Sequence, residues 1–179
     1  MVRIKRAPHI VLLIVALVAF AAAPAAAQGS DQRPYKSTDV GTAVIGDCIP
    51  APDVNAFAVR CPVETVGSGI ATHLGLLSST SEGTGLIDPL NGCEVLDGSP
   101  GITVTTAGSF VFTAANGDEL HGDFANTLCF GATDSAINGT QTFIGGTGRF
   151  ADATGTTLTF GTSFTDGTFN LTAVGTVGY

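Results

Sequence analysis

The chain has 179 residues, of which 44% are apolar and only 12% are charged. It contains 24 glycines, about twice the average share of roughly 7%, so long helices are disfavoured. Seven basic residues against 15 acidic residues give a net charge of −8, which excludes the basic surface of a nucleic-acid-binding protein. A chain of this length fits one domain of ordinary size.

Residues 1–27 have the layout of a secretory signal peptide. Three basic residues precede an apolar run at 10–23, and Ala25-Ala26-Ala27 supplies the small residues of a cleavage site. An uncleaved membrane anchor is the alternative, although the apolar run is short for a span of about 20 residues. Cleavage after Ala27 leaves four basic residues against 15 acidic ones, a net charge of −11. We therefore expect a secreted or cell-envelope protein, without stable membrane insertion once the signal has been removed.

All four cysteines follow the predicted cleavage site. An even number of cysteines in an exported chain predicts two disulfide bonds. Of the three possible pairings we favour Cys48–Cys61 with Cys93–Cys129, because the first pair closes a short proline-containing loop. Zinc is the weaker alternative, since the chain has no C-x-x-C motif and its histidines are not at ligand spacing. We therefore expect no metal site.

After the signal peptide, the chain alternates apolar and polar residues instead of showing a helical stripe. Residues 28–37 are polar and without periodicity, and we interpret them as a flexible leader. Residues 156–164 and 168–177 alternate on either side of an Asp166-Gly167 pair. Because Asp-Gly supplies the positive φ angles of a tight turn, these two segments predict a β-hairpin.

A second hairpin is predicted around Asn116-Gly117, with strands at 108–114 and 120–130. Residues 79–100 lack periodicity and are predicted to form one long loop. Weaker strands are predicted at four further places: 38–45, 54–60, 65–78 and 136–144.

About eight antiparallel strands joined by short turns can close on themselves, which removes exposed sheet edges. We therefore predict an all-β fold, a single eight-stranded antiparallel up-and-down β-barrel over 38–179, with little helix beyond the signal peptide. A β-sandwich is the alternative, because periodicity alone does not separate the two. A barrel of this size is either filled by side chains or holds one small ligand.

The alternation also predicts which side chains line the barrel interior. We expect the phenylalanines and leucines to face inward and the threonine-rich faces to meet water. The predicted ligand-binding residues are Phe110, Phe112, Phe124, Phe143, Leu158, Phe160 and Phe169. The expected partner is a small apolar molecule.

The most distinctive motif is the glycine-rich segment 142–155, which contains Gly145-Gly146-Thr147-Gly148-Arg149. It matches G-x-G-x-x-A formally, but dinucleotide binding needs a helix after the glycines, and here a threonine-rich strand follows. We interpret the motif as a barrel corner, with Arg149 paired to Asp152 or a neighbouring carboxylate, and expect no cofactor.

The same segment resembles the GGTGRF-x-x-A-x-G signature of the allene oxide cyclase barrel-like proteins, the superfamily that includes plant dirigent proteins. Residues 114–120 resemble the A-N-G-D-x-L turn of secreted bacterial members, and residues 72–75 resemble their H-L-G strand. The resemblance covers about 65–177. It implies an eight-stranded antiparallel barrel with a largely apolar cavity, assembled as a homodimer or homotrimer. Family activities include cyclisation of an allene oxide and stereochemical guidance of radical coupling.

Candidate catalytic groups are few. Glu119, His121 and Asp123 share one strand face, but they oppose apolar neighbours and are expected to face solvent. His73 and Arg149 are weak catalytic candidates, His73 being by default a hydrogen-bonded structural residue. The chain has no G-x-S-x-G elbow of a serine hydrolase.

Three functional hypotheses follow from these patterns. The first is a secreted barrel that binds a small apolar molecule without turning it over. The second is a cyclase or isomerase that acts mainly by positioning a reactive apolar substrate. The third is a non-catalytic structural or interaction module of the cell envelope with a solid core. The volume and lining of the barrel interior distinguish the third from the other two.

Overall fold

The structure is a computed structural model that describes residues 31–95 and 97–179. The predicted signal peptide at 1–27 lies outside the described residues. Nine strands and one 3-10 turn, Gly148–Phe150, make up the described part of the chain. The strands are β1 (Arg33–Ile45), β2 (Ile49–Pro50), β3 (Val59–Ala71), β4 (Gly75–Glu94), β5 (Pro100–Ala114), β6 (Glu119–Phe130), β7 (Asp134–Gly146), β8 (Thr154–Phe164) and β9 (Thr168–Gly178).

Eight of these strands close into a barrel. From β3 to β9 each strand pairs antiparallel with the next, and β1 pairs with both β9 and β3. Ser37 of β1, for example, lies opposite Ala71 of β3 and Ala173 of β9. The short β2 adds to β3 beyond the end of β1. The predicted eight-stranded up-and-down barrel is therefore confirmed, and the β-sandwich alternative is wrong.

Strand boundaries differ from the prediction in several places. β1 begins at Arg33, so residues 33–37 are strand and the predicted leader at 28–37 is wrong there. Most of the predicted loop at 79–100 belongs to β4, and most of the predicted strand at 54–60 precedes β3. The predicted strand at 65–78 is wrong as a single strand, because it covers the end of β3, a turn at 72–74 and the start of β4. The physical reason at β4 is its composition: Ser79, Ser81 and other small residues face inward, so no apolar alternation marks the strand.

One end of the barrel is packed solid. Tyr35, Leu120, Phe143 and Phe150 are all fully buried there, in one apolar cluster. The 3-10 turn that carries Phe150 folds the glycine-rich motif over this end, where the Phe150 ring meets the Tyr179 ring at 4.9 Å between centroids. The motif is therefore a barrel corner, as predicted. We call this end the closed end.

The inward and outward faces of β8 are the reverse of those predicted. Thr157 and Thr159 are buried inside the barrel, whereas Leu158 is 66% exposed and Phe160 is 47% exposed on the outside. Hydrogen bonds offset the cost of burying these threonine hydroxyls, because both donate to side-chain carbonyl oxygens inside the barrel. Alternation fixes which residues share a face but not which face is inside. Leu158 and Phe160 are therefore wrong as interior residues.

Both predicted disulfides are present. Cys48–Cys61 ties the β1–β3 connection to the start of β3, and Cys93–Cys129 joins β4 to β6. The described residues contain no free cysteine. The favoured pairing is thus confirmed.

Candidate functional site

A cavity of about 240 Å³ occupies the barrel interior on the side away from the closed end. The β8–β9 hairpin, with Phe164 and Gly167, contributes to its lining. The volume equals that of about eight water molecules in the liquid. Most of the wall is apolar, with several aliphatic side chains and six phenylalanines: Phe110, Phe112, Phe124, Phe130, Phe164 and Phe169.

Two of these rings lie over glycines of the neighbouring strand. Phe169 of β9 pairs with Gly41 of β1, where a Cβ would lie 2.7 Å from the ring. Phe110 of β5 pairs with Gly122 of β6, where a Cβ would overlap the ring. The glycines therefore make space for rings that would otherwise be pushed into the cavity.

Asp39 is the ionisable side chain of the cavity wall, and no other lines it among the described residues. The residue is 8% exposed, and its Oδ2 accepts a 2.6 Å hydrogen bond from the Ser79 hydroxyl. Its Oδ1 is buried and has no hydrogen-bond partner of good geometry in the described part of the chain. Burial raises the pKa of Asp39 above its ordinary value, while hydrogen bonds from the Ser79 hydroxyl and the Val40 backbone amide act in the opposite direction.

Gly67 of β3 leaves room for this pair. A Cβ at Gly67 would lie 2.7 Å from the Ser79 hydroxyl and 3.0 Å from Asp39 Oδ1. β3 separates β1 from β4, so Asp39 and Ser79 meet across an intervening strand that carries no side chain at that point. The Ser79 hydroxyl and Oδ1 therefore occupy the space that a side chain at position 67 would need, and Oδ1 is fully buried.

Tyr35 continues the polar inner face of β1 toward the closed end. It is 1% exposed, and its hydroxyl has no hydrogen bond of good geometry within residues 31–95 and 97–179. Burial raises the pKa of Tyr35 above its usual range, while the nearby Ser37 hydroxyl opposes the shift. We expect Tyr35 to remain a neutral phenol.

The far wall of the cavity carries amide groups. Gln141 and Asn126 line it, and their carbonyl oxygens accept hydrogen bonds from Thr157 at 3.2 Å and Thr159 at 2.9 Å. Ser163 also lines the cavity, and its buried hydroxyl has no partner among the described residues. Polar groups thus lie on two sides of an otherwise apolar space.

The predicted ligand-binding residues fall into three groups. Phe110, Phe112, Phe124 and Phe169 line the cavity. Phe143 faces inward but is packed at the closed end, its ring 5.0 Å from that of Tyr35 between centroids. Leu158 and Phe160 lie on the outer surface, as described above.

The two weak catalytic candidates lie away from the cavity. His73 forms the β3–β4 turn with φ of 71°, and its Nε2 lies 3.0 Å from the carbonyl oxygen of Pro34. Arg149 pairs with Asp118 at 3.5 Å and stacks 4.8 Å from the Phe150 ring centre, so the carboxylate it meets is a neighbouring one and not Asp152. Neither side chain contributes to the cavity wall.

The acidic edge on β6 faces outward, as expected. His121 Nε2 lies 2.9 Å from Glu119 Oε2 in a partly exposed pair, and Asp123 is exposed. No cluster of three or more histidine, cysteine or carboxylate side chains that could hold a metal ion occurs within the described ranges. No helix of the described chain is long and apolar enough to cross a membrane.

Sequence reasoning missed Asp39. The available signal was the alternation of Ser37, Asp39 and Gly41 at inward positions of a strand. That signal is weak, because the same pattern is equally consistent with a solvent-facing edge.

Comparisons of the chain with protein-family models, curated proteins and solved structures give no match. The resemblance to the allene oxide cyclase barrel-like proteins therefore stays a prediction, and the barrel architecture rests on the strand pairing itself.

Proposed function

We propose that this barrel binds a small, largely apolar molecule in its interior. The observation that carries the proposal is the cavity of about 240 Å³ above a solidly packed closed end. Drug-sized ligands occupy about 300–1,000 Å³, so the ligand is smaller, comparable to a single substituted ring.

The wall chemistry supports binding over a solid-core structural role. Phe110, Phe112, Phe124 and Phe169 offer rings to a ligand, and a few polar groups among them could fix its orientation. A purely structural barrel of eight strands is expected to fill its interior with side chains.

The disulfide bonds support the predicted exported location. The two disulfides favour an oxidising compartment, in keeping with the signal peptide predicted at 1–27. We propose that the mature protein acts outside the cytoplasm, in the cell envelope or beyond it.

A cyclase or isomerase is the second candidate function, and Asp39 is the observation that favours it. A carboxyl group with a raised pKa in an apolar cavity is a typical proton donor to a bound substrate. His73 and Arg149 give this candidate no support, since both lie outside the cavity.

The binding proposal is tested with toluene, a single-ring apolar probe, by NMR titration of the mature protein. The Thr106→Phe variant fills the cavity, because Thr106 lines it. Its matched control is Thr105→Phe, since Thr105 is exposed on the same strand. We expect toluene to bind the wild type and the control but not Thr106→Phe. Absence of binding to the wild type, or equal binding to both variants, would contradict the proposal.

A further inference from the structure

We propose that the ligand of this cavity is a protonated organic amine, whose ammonium group pairs with the Asp39 carboxyl group while its apolar body contacts the phenylalanine rings. This inference rests on the proposed binding function and adds the chemical class of the ligand.

Charge selects a cation over an anion. Asp39 is the ionisable side chain of the wall, and no lysine, arginine or histidine lines the cavity in the described part of the chain. An anionic head group would enter without a counter-charge and would meet an acidic residue. The chain as a whole carries 15 acidic residues against seven basic ones, which attracts cations toward the barrel.

The Asp39 carboxyl retains capacity to accept a further hydrogen bond. Ser79 donates to Oδ2, the Val40 amide lies close to the carboxyl, and Oδ1 has no hydrogen bond of good geometry among the described residues. Removing a polar oxygen from water without a hydrogen bond is costly, and a charge-assisted bond from an ammonium group would offset that cost. A Cβ at Gly67 would lie only 3.0 Å from Oδ1, so an ammonium group must approach the carboxyl from the cavity and not from β3.

The aromatic wall favours the same class. Phe110 and Phe112 line the cavity with their ring centres 4.6 Å apart. The faces of such rings attract cations through their quadrupole. A carboxyl group combined with phenylalanines and no basic group is therefore complementary to an ammonium with an apolar body.

Binding of an amine should depend on pH through Asp39. The inner faces of β3, β4 and β9, which surround it, add no other ionisable side chain to the cavity, and Tyr35 on β1 is the titratable neighbour. Burial raises the pKa of the empty-site carboxyl, and an ammonium partner favours its ionised form. Affinity should therefore rise as the pH increases through the titration of Asp39.

The test compares four single-ring probes of similar size: benzylamine, benzyl alcohol, benzoate and toluene. Isothermal titration of the mature wild-type protein at pH 7 should give benzylamine an affinity at least tenfold above that of benzyl alcohol, with no binding of benzoate. Benzylamine affinity no higher than that of benzyl alcohol would overturn the proposal.

Two variants locate the effect. Asp39→Asn keeps the shape of the side chain and should lower the affinity for benzylamine at least tenfold more than the affinity for toluene. Asp123→Asn removes one charge from the outer surface and should change neither. Retention of the amine preference in Asp39→Asn would also refute the assignment. If toluene binds without an amine preference, this inference alone fails; if no probe binds the wild type, the proposed function fails as well.

Discussion

Ser79 reaches across a whole strand to donate a 2.6 Å hydrogen bond to Asp39. β3 lies between their strands, and Gly67 is the residue of β3 that faces Ser79 in the register. The pair therefore depends on the absence of a side chain at position 67. The glycine on β3 thus allows a hydrogen bond between side chains of the two strands beside it, β1 and β4.

Gly67→Ala should weaken this arrangement. The new Cβ would lie 2.7 Å from the Ser79 hydroxyl and 2.9 Å from the Val40 carbonyl oxygen, so either the pair or the backbone must shift. We expect a loss of about 1–3 kcal/mol in the free energy of unfolding, measured by urea denaturation with the disulfides intact. Gly92→Ala is the control, because its nearest contact would be an ordinary 3.8 Å. Equal losses in both variants would show that the packing at position 67 has no special role.

Asp39→Asn should stabilise the empty protein at neutral pH. Burial raises the pKa of Asp39 above 3.8, so the folded protein binds the proton more tightly than the unfolded chain. The stability that this gives is present below the unfolded-state pKa and is lost as pH rises through the raised folded-state pKa. We expect wild type and variant to be equally stable near pH 3, and the variant to be more stable at pH 7.

Asp166→Asn should destabilise the protein at neutral pH, the opposite of the effect expected for Asp39→Asn. Hydrogen bonds from Thr168 lower the pKa of Asp166, so its contribution is present above the unfolded-state pKa and is lost as pH falls. The variant keeps a good turn residue before Gly167 and should be less stable than the wild type at pH 7, with the difference shrinking in acid.

Thermal unfolding between pH 3 and pH 8 measures the stability of both variants, Asp39→Asn and Asp166→Asn, against the wild type. A pH-independent difference at position 39 would rule out the buried-carboxyl interpretation.

Phe143→Ala and Phe160→Ala compare two phenylalanines that the sequence predicts to line the barrel interior. Phe143 is fully buried at the closed end, and its truncation should cost about 3–5 kcal/mol. Phe160 is 47% exposed on the outer face, and its truncation should cost less than about 1 kcal/mol. Urea unfolding of the two variants measures the difference. Similar costs would contradict the assignment of Phe160 to the outer face.

The sequence predicts the barrel better than it predicts the site. Turn pairs such as Asn116-Gly117 and Asp166-Gly167 act locally, and both hairpins form where their chemistry requires them. Which face of β8 points into the barrel depends instead on residues of other strands. Gln141 on β7, for example, accepts a hydrogen bond from the inward-facing Thr157.

Asp39 shows the same limit at the site. Its Ser79 partner is 40 residues away, and their meeting depends on barrel closure through β1 and β3. The residues next to Asp39 in the sequence do not predict that closure. The predicted lining residues that proved correct in position, such as Phe110 and Phe169, belong to strands whose inner face carries most of the large apolar groups. Large inward side chains are readable from alternation, whereas a single inward carboxyl is not.

The two disulfides should contribute unequally to stability. In the chain-entropy account a longer closed loop restricts the unfolded chain more. Cys48–Cys61 spans 13 residues and Cys93–Cys129 spans 36. Replacing both cysteines of a pair by serine should therefore cost about 3 kcal/mol for the first and about 4 kcal/mol for the second.

Guanidinium denaturation of the two double-serine variants checks the order, with the wild type and its fully reduced form as references. Cys61 also lines the cavity, so the Cys48/Cys61 variant should alter toluene affinity, whereas the Cys93/Cys129 variant should alter stability alone, because neither of its cysteines lines the cavity. A larger loss from the shorter loop would show that local packing around Cys61, which is fully buried, outweighs the entropy of the unfolded chain.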